Sequence, residues 1–433
     1  MASHAARFSL GNAALSTHPC ARVAIRFQII PYPVTVFSAR TGWSLAPNRL
    51  HQLAATRRRE GSLIDLTVSN PTQCGFEYPR APILAALGQA AALRYEPQPL
   101  GLASARAAVS AYYAERSGTD RRASPVPADR LLLTASTSEA YAHLFRLLCD
   151  PGDAVLMPAP SYPLFEMLAA LSDVRLLACP MLYDHGWQLD REALEQAAGS
   201  EPKLRALLLV HPNNPAGCYL KPGEWQWLQE LAARCGWALV LDEVFFDYPL
   251  PPHAAVPLDW ESAPALTFVL NGLSKIAALP QMKLGWVAVH GPAHLRQPAL
   301  ARLEIINDLF LSVDAPIQHA AATFLQTRHA LQTQIRARLA ANLAALDAAL
   351  LACPALERLQ VEGGWNVILR LPRVRTDDAW AELLLDRGGV LTHPGHFYSL
   401  GLDSHLVISL LPPLATFQAG IAALVAAAAG ALR

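Results

Sequence analysis

Apolar residues along this chain come in two patterns, and they alternate. Short continuous apolar runs at Arg130–Leu133, Ala154–Met157, Leu204–Val210, Ala238–Leu241, Thr267–Leu270 and Gly285–Val289 read as buried strands. Stretches with helical spacing separate several of them. Tyr141, Leu144, Phe145 and Leu148 give one such stretch an apolar face behind Ser136-Thr-Ser-Glu139, which has the capping-box arrangement. Further helices are predicted over Leu164–Leu171 and over Glu224–Cys235, the latter stopped at Gly236. Strands alternating with helices predict an α/β fold with a mainly parallel sheet.

On either side the pattern differs. Upstream, an arm from Phe37 leads to a helix over Ala46–Arg58, a strand Leu63–Val68 ended by Ser69-Asn70-Pro71, and helices over Pro82–Leu93 and Ala103–Arg116. After Pro292 long helical segments take over, Ala293–Leu325 with a break at Pro316 and then Ala330–Leu351. Strand-like Asn366–Leu371, a helix Asp377–Arg387, strand-like Leu406–Leu411 and a terminal helix Ala419–Leu432 complete a smaller α+β unit. The expected organisation is an extension over residues 1–36, a large domain over 63–310, and a small domain made of 37–62 with 311–433.

The 433 residues are 52% hydrophobic and 16% charged, which supports two ordinary cores. Lysine plus arginine number 35 and aspartate plus glutamate 35, so no basic footprint for nucleic acid or an anionic membrane exists and a small-molecule partner is expected. Seven cysteines stand at 20, 74, 149, 179, 218, 235 and 353 without a CxxC pair, as free thiols of a reducing, cytoplasmic protein would. No metal is called for. Residues 1–59 hold no acidic residue, a transit-peptide composition that an upstream start or a flexible arm explains as well.

The chemistry gathers around Val269-Leu-Asn-Gly-Leu-Ser-Lys275, where a strand ends in a turn and presents a lysine; a second lysine, Lys283, and Gly285-Trp286 follow. Thr134-Ala-Ser-Thr-Ser-Glu-Ala140, Pro160-Ser-Tyr162, His211-Pro-Asn-Asn214-Pro-Ala-Gly217 and Leu241-Asp242-Glu-Val-Phe245 precede it. Five motifs in this order, across Asp65 to Ser409, resemble the class I/II aminotransferases of fold-type I. The resemblance implies a mainly parallel, seven-stranded-type sheet in a large pyridoxal-phosphate domain.

That cofactor supplies an electron sink, and the protein must hold its ring, keep the ring nitrogen charged, grip the phosphate and offer an amine. The resemblance assigns Lys275 as the covalent amine and proton carrier, and Asp242 as the partner of the ring nitrogen. Asn214 would donate to the phenolic oxygen and Tyr162 stack on the ring. Ser136, Thr137, Ser274 and Lys283 would hold the phosphate, the first two at a helix start that suits anions. Tyr95 would reach the phosphate of a neighbouring subunit, making a homodimer with shared sites. The implied reaction is ping-pong transamination between an amino donor and a keto-acid acceptor, through pyridoxamine phosphate. A lyase or decarboxylase would use the same residues. A cofactor-binding regulator is disfavoured because the N-terminal segment is too short for a DNA-binding domain.

The chain departs from the family pattern at Phe245, where many members have Tyr, and at Lys283, Gly272 and Ser69. The largest departure is Val407, which stands where an arginine for the substrate carboxylate is expected. Arg370 or His396 is the expected replacement, with Trp365 walling the pocket and Asn70 beside the substrate.

Overall fold

The computed structural model describes residues 36–117, 126–401 and 404–431. The extension expected over residues 1–36 lies outside these except for its last position. In chain order the described elements begin with helix α1 (Arg49–Arg59), strand β1 (Ile64–Asp65), α2 (Arg80–Leu87) and α3 (Ala103–Ser117). The alternating region follows as β2 (Leu131–Thr134), α4 (Thr137–Leu148), β3 (Ala154–Ala159), α5 (Leu164–Leu171), β4 (Arg175–Tyr183), β5 (Trp187–Leu189), α6 (Arg191–Ser200) and β6 (Leu204–Val210). It closes with α7 (Pro222–Cys235), β7 (Ala238–Asp242), β8 (Thr267–Gly272), α8 (Leu273–Ile276) and β9 (Gly285–His290). Two long helices, α9 (Ala293–Asp308) and α10 (Ala315–Leu350), lead to β10 (Glu357–Arg358), β11 (Asn366–Arg370), α11 (Asp377–Gly388), β12 (Val390–Leu391), β13 (His393–Pro394), β14 (His405–Ser409) and α12 (Leu414–Ala431).

Strands β2 to β9 form one sheet in the order β2-β9-β8-β7-β6-β3-β4-β5. The central pairs β8 with β7, β7 with β6, β6 with β3 and β3 with β4 are parallel. Strand β9 runs antiparallel to both neighbours, so β2 points the same way as the central strands. Strand β5 adds an antiparallel edge, which makes the sheet eight-stranded where seven strands were expected. Both faces are covered, one by α3, α7 and α10 and the other by α4, α5 and α9, giving two apolar layers. This is the α/β architecture the alternation predicts.

A second sheet, in the order β10-β11-β14-β13, is antiparallel throughout and packs with α1, α11 and α12 around Trp365, Trp380 and Phe417. The single long helix α10 serves both cores, through Phe324 and Leu325 on one side and Leu331, Ile335 and Leu339 on the other. We propose a domain division inside α10, with β1, Leu66 and Phe76 in the smaller unit.

Two expectations fail for identifiable reasons. The break lies between α9 and α10, not at Pro316, because a proline in the first turn of a helix gives up an N–H that has no intrahelical partner anyway. No gap follows Leu325 either: Arg328 in the polar stretch there is buried and pairs with Glu115 at 2.7 Å. The terminal helix α12 is long and apolar enough to cross a membrane, but Phe417, Ile421, Leu424 and Ala428 are buried against the small-domain core.

Candidate active site

The carboxyl ends of parallel strands open on a single edge of the sheet, where α/β folds bind ligands. Strand β2 leads into Ser136 and Thr137, β3 into Tyr162, β6 into Asn214, β7 ends on Asp242, and β8 leads into Lys275. Strand β9 starts at the same edge, two residues after Lys283. Seven sequence-predicted residues thus converge through topology alone.

Asp242 is buried. Its Oδ2 accepts the Tyr141 hydroxyl at 3.1 Å and its Oδ1 the Val244 N–H at 3.0 Å. Burial pushes its carboxyl up to about 6, while these two hydrogen bonds and the charge of Lys275 draw it back down. Burial likewise pulls the Lys275 amine down to about 8, opposed by the charge of Asp242. A lysine in that state is largely neutral a unit above pH 8, which is the form that attacks a carbonyl.

Aromatic rings enclose the amine. Lys275 Nζ lies 4.9 Å from the Trp365 ring centroid and 5.7 Å from that of Phe245. Those two rings pack edge to face at 5.4 Å, and Tyr248 packs on Trp365 at 5.2 Å. The backbone of the lysine segment is held from three sides: Tyr248 donates to the Lys275 carbonyl at 2.5 Å, Gln332 to that of Ile276 at 2.8 Å and Tyr78 to that of Ala278 at 2.8 Å. Tyr162 is 38% exposed, and burial together with the charge of Asp242 raises the pKa of its hydroxyl.

At the start of α4, Ser136 Oγ accepts the Glu139 N–H at 3.1 Å, while Glu139 reaches past Ser136 to the Ala135 N–H at 2.6 Å. Gly285 presses against this turn. A Cβ there would lie 3.0 Å from the Ser136 carbonyl carbon and 3.1 Å from the Thr137 nitrogen. Gly272 is as close to Leu284, whose carbonyl oxygen a Cβ would meet at 2.9 Å. The two glycines let β8, β9 and the start of α4 close up. Ser274 lies beside Lys275 in α8, and the exposed Lys283 takes a left-handed φ of 47° just ahead of β9.

The remaining candidates divide. Trp365 is in the site, and Asn214 is buried and accepts a hydrogen bond from Asn366 at 2.8 Å. Asn70 Oδ1 caps its own turn, accepting from the Thr72 N–H at 3.1 Å and hydroxyl at 2.7 Å. Tyr95 is 83% exposed. Arg370 is at the far end of β11 from Trp365, where Nε donates to Glu357 Oε2 at 3.0 Å and Nη2 binds the same oxygen. Five residues of strand amount to roughly 16 Å, so Arg370 is not brought to Lys275. His396 is exposed, with Nδ1 3.8 Å from Asp378 Oδ2. Val407 does face the site side of the small sheet, since it shares a face with Ser409, the register partner of Asn366. It is fully buried in an apolar cluster with Ile368, Tyr398 and Leu400.

Sequence reasoning missed Tyr141, Tyr248 and Asn366. Tyr141 read as a core aromatic, and it is one; what sets it apart is its hydroxyl's bond to Asp242. Nothing in the local pattern marks the other two.

A sequence profile described as aminotransferase class I and II matches residues 64–420. The chain is 27% identical over 282 residues to the glutamate-pyruvate aminotransferase AlaA of Haemophilus influenzae, covering 64% of this chain and 67% of that one. It is 26% identical over 369 residues to the arginine–pyruvate transaminase AruH of Pseudomonas aeruginosa, covering 84% and 89%. The match spans only 40% of the length of nicotianamine aminotransferase B of Hordeum vulgare. In fold it resembles a solved single mutant of the Thermus thermophilus aspartate aminotransferase, with a TM-score of 0.77 at 22% identity over 90% of this chain and 99% of that one.

Proposed function

The chain belongs to the class I and II aminotransferases, and from that premise we propose that it moves an amino group from an amino-acid donor to a keto-acid acceptor with pyridoxal phosphate held on Lys275. The observation that carries this reading is the convergence of Lys275 and Asp242 from the ends of adjacent strands β8 and β7, each shifting the other's protonation. The donor set fits such a group. It offers an amine that burial pulls down to about 8, a buried carboxylate for a ring nitrogen, and a helix start for a phosphate, which the absence of a Cβ at Gly285 lets β9 approach closely.

Pyridoxal phosphate, when bound, supplies the electron sink. The residues do the rest. Asp242, ionised above about pH 6, would keep the ring nitrogen charged. The first-turn N–H groups of α4, the Thr137 hydroxyl, Ser274 and Lys283 would hold the phosphate, and Asn214 the phenolic oxygen. Tyr162 would cover one ring face. Lys275 would take and return the proton at the substrate's α-carbon, its backbone held still by Tyr248, Gln332 and Tyr78.

Exposure of Tyr95 and Leu93 supports a homodimer in which this segment reaches the neighbouring site. Among the described residues six cysteines are free, which supports a reducing, cytoplasmic setting. The apolar packing of Val407 favours a second reading for the substrate: a donor with no carboxylate against β14.

Borohydride reduction of the loaded protein followed by peptide mapping tests the cofactor assignment. The label is expected on Lys275, and Lys275→Ala is expected to abolish turnover; a label on another lysine would overturn it. Half-reactions with a panel of amines and amino acids then separate the two substrate readings. Conversion of the cofactor to its amine form marks transamination, and elimination leaves it unconverted.

A further inference from the structure

Asn366 Nδ2 donates to Asn214 Oδ1 at 2.8 Å. The bond crosses from the first residue of β11, in the small domain, to the loop after β6 in the large one. A side-chain amide has an acceptor end and a donor end, and both cannot face the same partner. With its oxygen held by Asn366, the buried Asn214 turns its N–H groups away from β11. That is the orientation in which Asn214 donates to a phenolic oxygen. Phe245, 5.7 Å from Lys275 Nζ, has no hydroxyl to share the task.

We propose that Asn366 is a positioning residue for Asn214: it fixes which end of that amide meets the cofactor, and through it sets the acidity of the Lys275-bound cofactor. The inference rests on the cofactor reading above. A hydrogen bond donated to the phenolic oxygen favours the deprotonated chromophore, so it lowers the apparent pKa. Removing Asn366 frees Asn214 to rotate and raises that pKa. Asp at 366 is nearly isosteric but only accepts, so it turns Asn214 around, presents its oxygen to the phenolic oxygen and raises the pKa further.

The test is a spectrophotometric pH titration of the purified loaded protein, paired with the cofactor dissociation constant and a thermal melt. Asn366→Ala is expected to raise the chromophore pKa by about half a unit or more, and Asn366→Asp by more than that. In an Asn214→Ala background, Asn366→Ala is expected to change neither the pKa nor the cofactor affinity further. An unchanged pKa in folded Asn366→Ala, or the same shift with Asn214 absent, would overturn the assignment. A wild-type protein that forms no titrating chromophore on Lys275 would instead overturn the cofactor reading, and this inference with it.

Discussion

The Tyr141 hydroxyl and Asp242 Oδ2 are 3.1 Å apart, and this bond ties the two ends of the candidate site together. Tyr141 is on α4, the helix whose first turn carries Ser136 and Thr137, while Asp242 ends β7. Phe165 packs on the Tyr141 ring at 4.8 Å and Tyr162 on Phe165 at 5.8 Å, so the helix and the residues that would grip phosphate, ring face and ring nitrogen form one packed unit.

Tyr141→Phe keeps the packing and deletes the hydrogen bond. Because that bond favours the ionised carboxylate, its loss moves the Asp242 pKa further above about 6. The acid limb of the kcat/KM profile is expected to shift upward, with rates at pH 8 changed by less than those at pH 6. An unmoved acid limb would show that Asp242 does not govern it.

Asp242→Asn should separate stability from activity. In the unfolded chain this carboxyl titrates near 3.9 and in the folded protein near 6, so the folded state holds its proton more tightly. The stability this contributes is full below about pH 4 and is lost as pH rises through about 6. The cofactor-free Asn variant is therefore expected to be more stable than wild type at pH 8, by up to about 3 kcal/mol, with no difference near pH 4. Thermal melts of both cofactor-free proteins across that range measure it. The same variant is expected to lose orders of magnitude in rate, since an amide cannot hold a ring nitrogen charged.

Most of the large domain was legible because its strands are uninterrupted apolar runs. Strands β4 and β5 and helix α6 are not predicted by the apolar pattern. Strand β4 lies near the sheet edge, with Arg175, Pro180 and Leu182 exposed, so its pattern is broken, and Pro180 argues against a strand. The candidates Lys275, Asp242, Asn214 and Ser136 were legible because each stands at or just after a strand end in a motif of its own. Asn366 and Tyr248 were not, because what brings them to the site is contacts across long sequence separations. The pairing of Arg370 with Glu357 was hidden for the same reason, since the two become neighbours only when β10 pairs with β11.

Phe245→Tyr places a hydroxyl on a ring that is already against Trp365 and 5.7 Å from Lys275 Nζ. A second donor to the phenolic oxygen favours the deprotonated chromophore, so the pKa of the bound cofactor is expected to fall. Titration by absorbance reads this directly. No shift, or an upward one, would mean that the ring edge does not point at that oxygen.

Val407→Arg tests whether the small sheet excludes a substrate carboxylate by packing. Val407 is fully buried with Ile368, Tyr398, Leu400 and Ala216, an apolar cluster that offers a guanidinium no carboxylate among these neighbours. Placing a cation there without a partner is expected to cost about 3 kcal/mol or more, seen as a lower melting temperature. If the new side chain reaches the site, a dicarboxylic or α-amino acid substrate supplies the missing partner. The variant's melting temperature should then rise more on adding such a substrate than the wild type's does, and its KM for amino acids should fall relative to that for simple amines. Arg370→Ala serves as the control. Its ion pair with Glu357 is 41% and 50% exposed, so its loss is expected to cost under about 1 kcal/mol and leave both KM values unchanged. A Val407→Arg protein as stable as wild type and unchanged in substrate preference would mean that the apolar cluster is not what keeps the carboxylate from this strand.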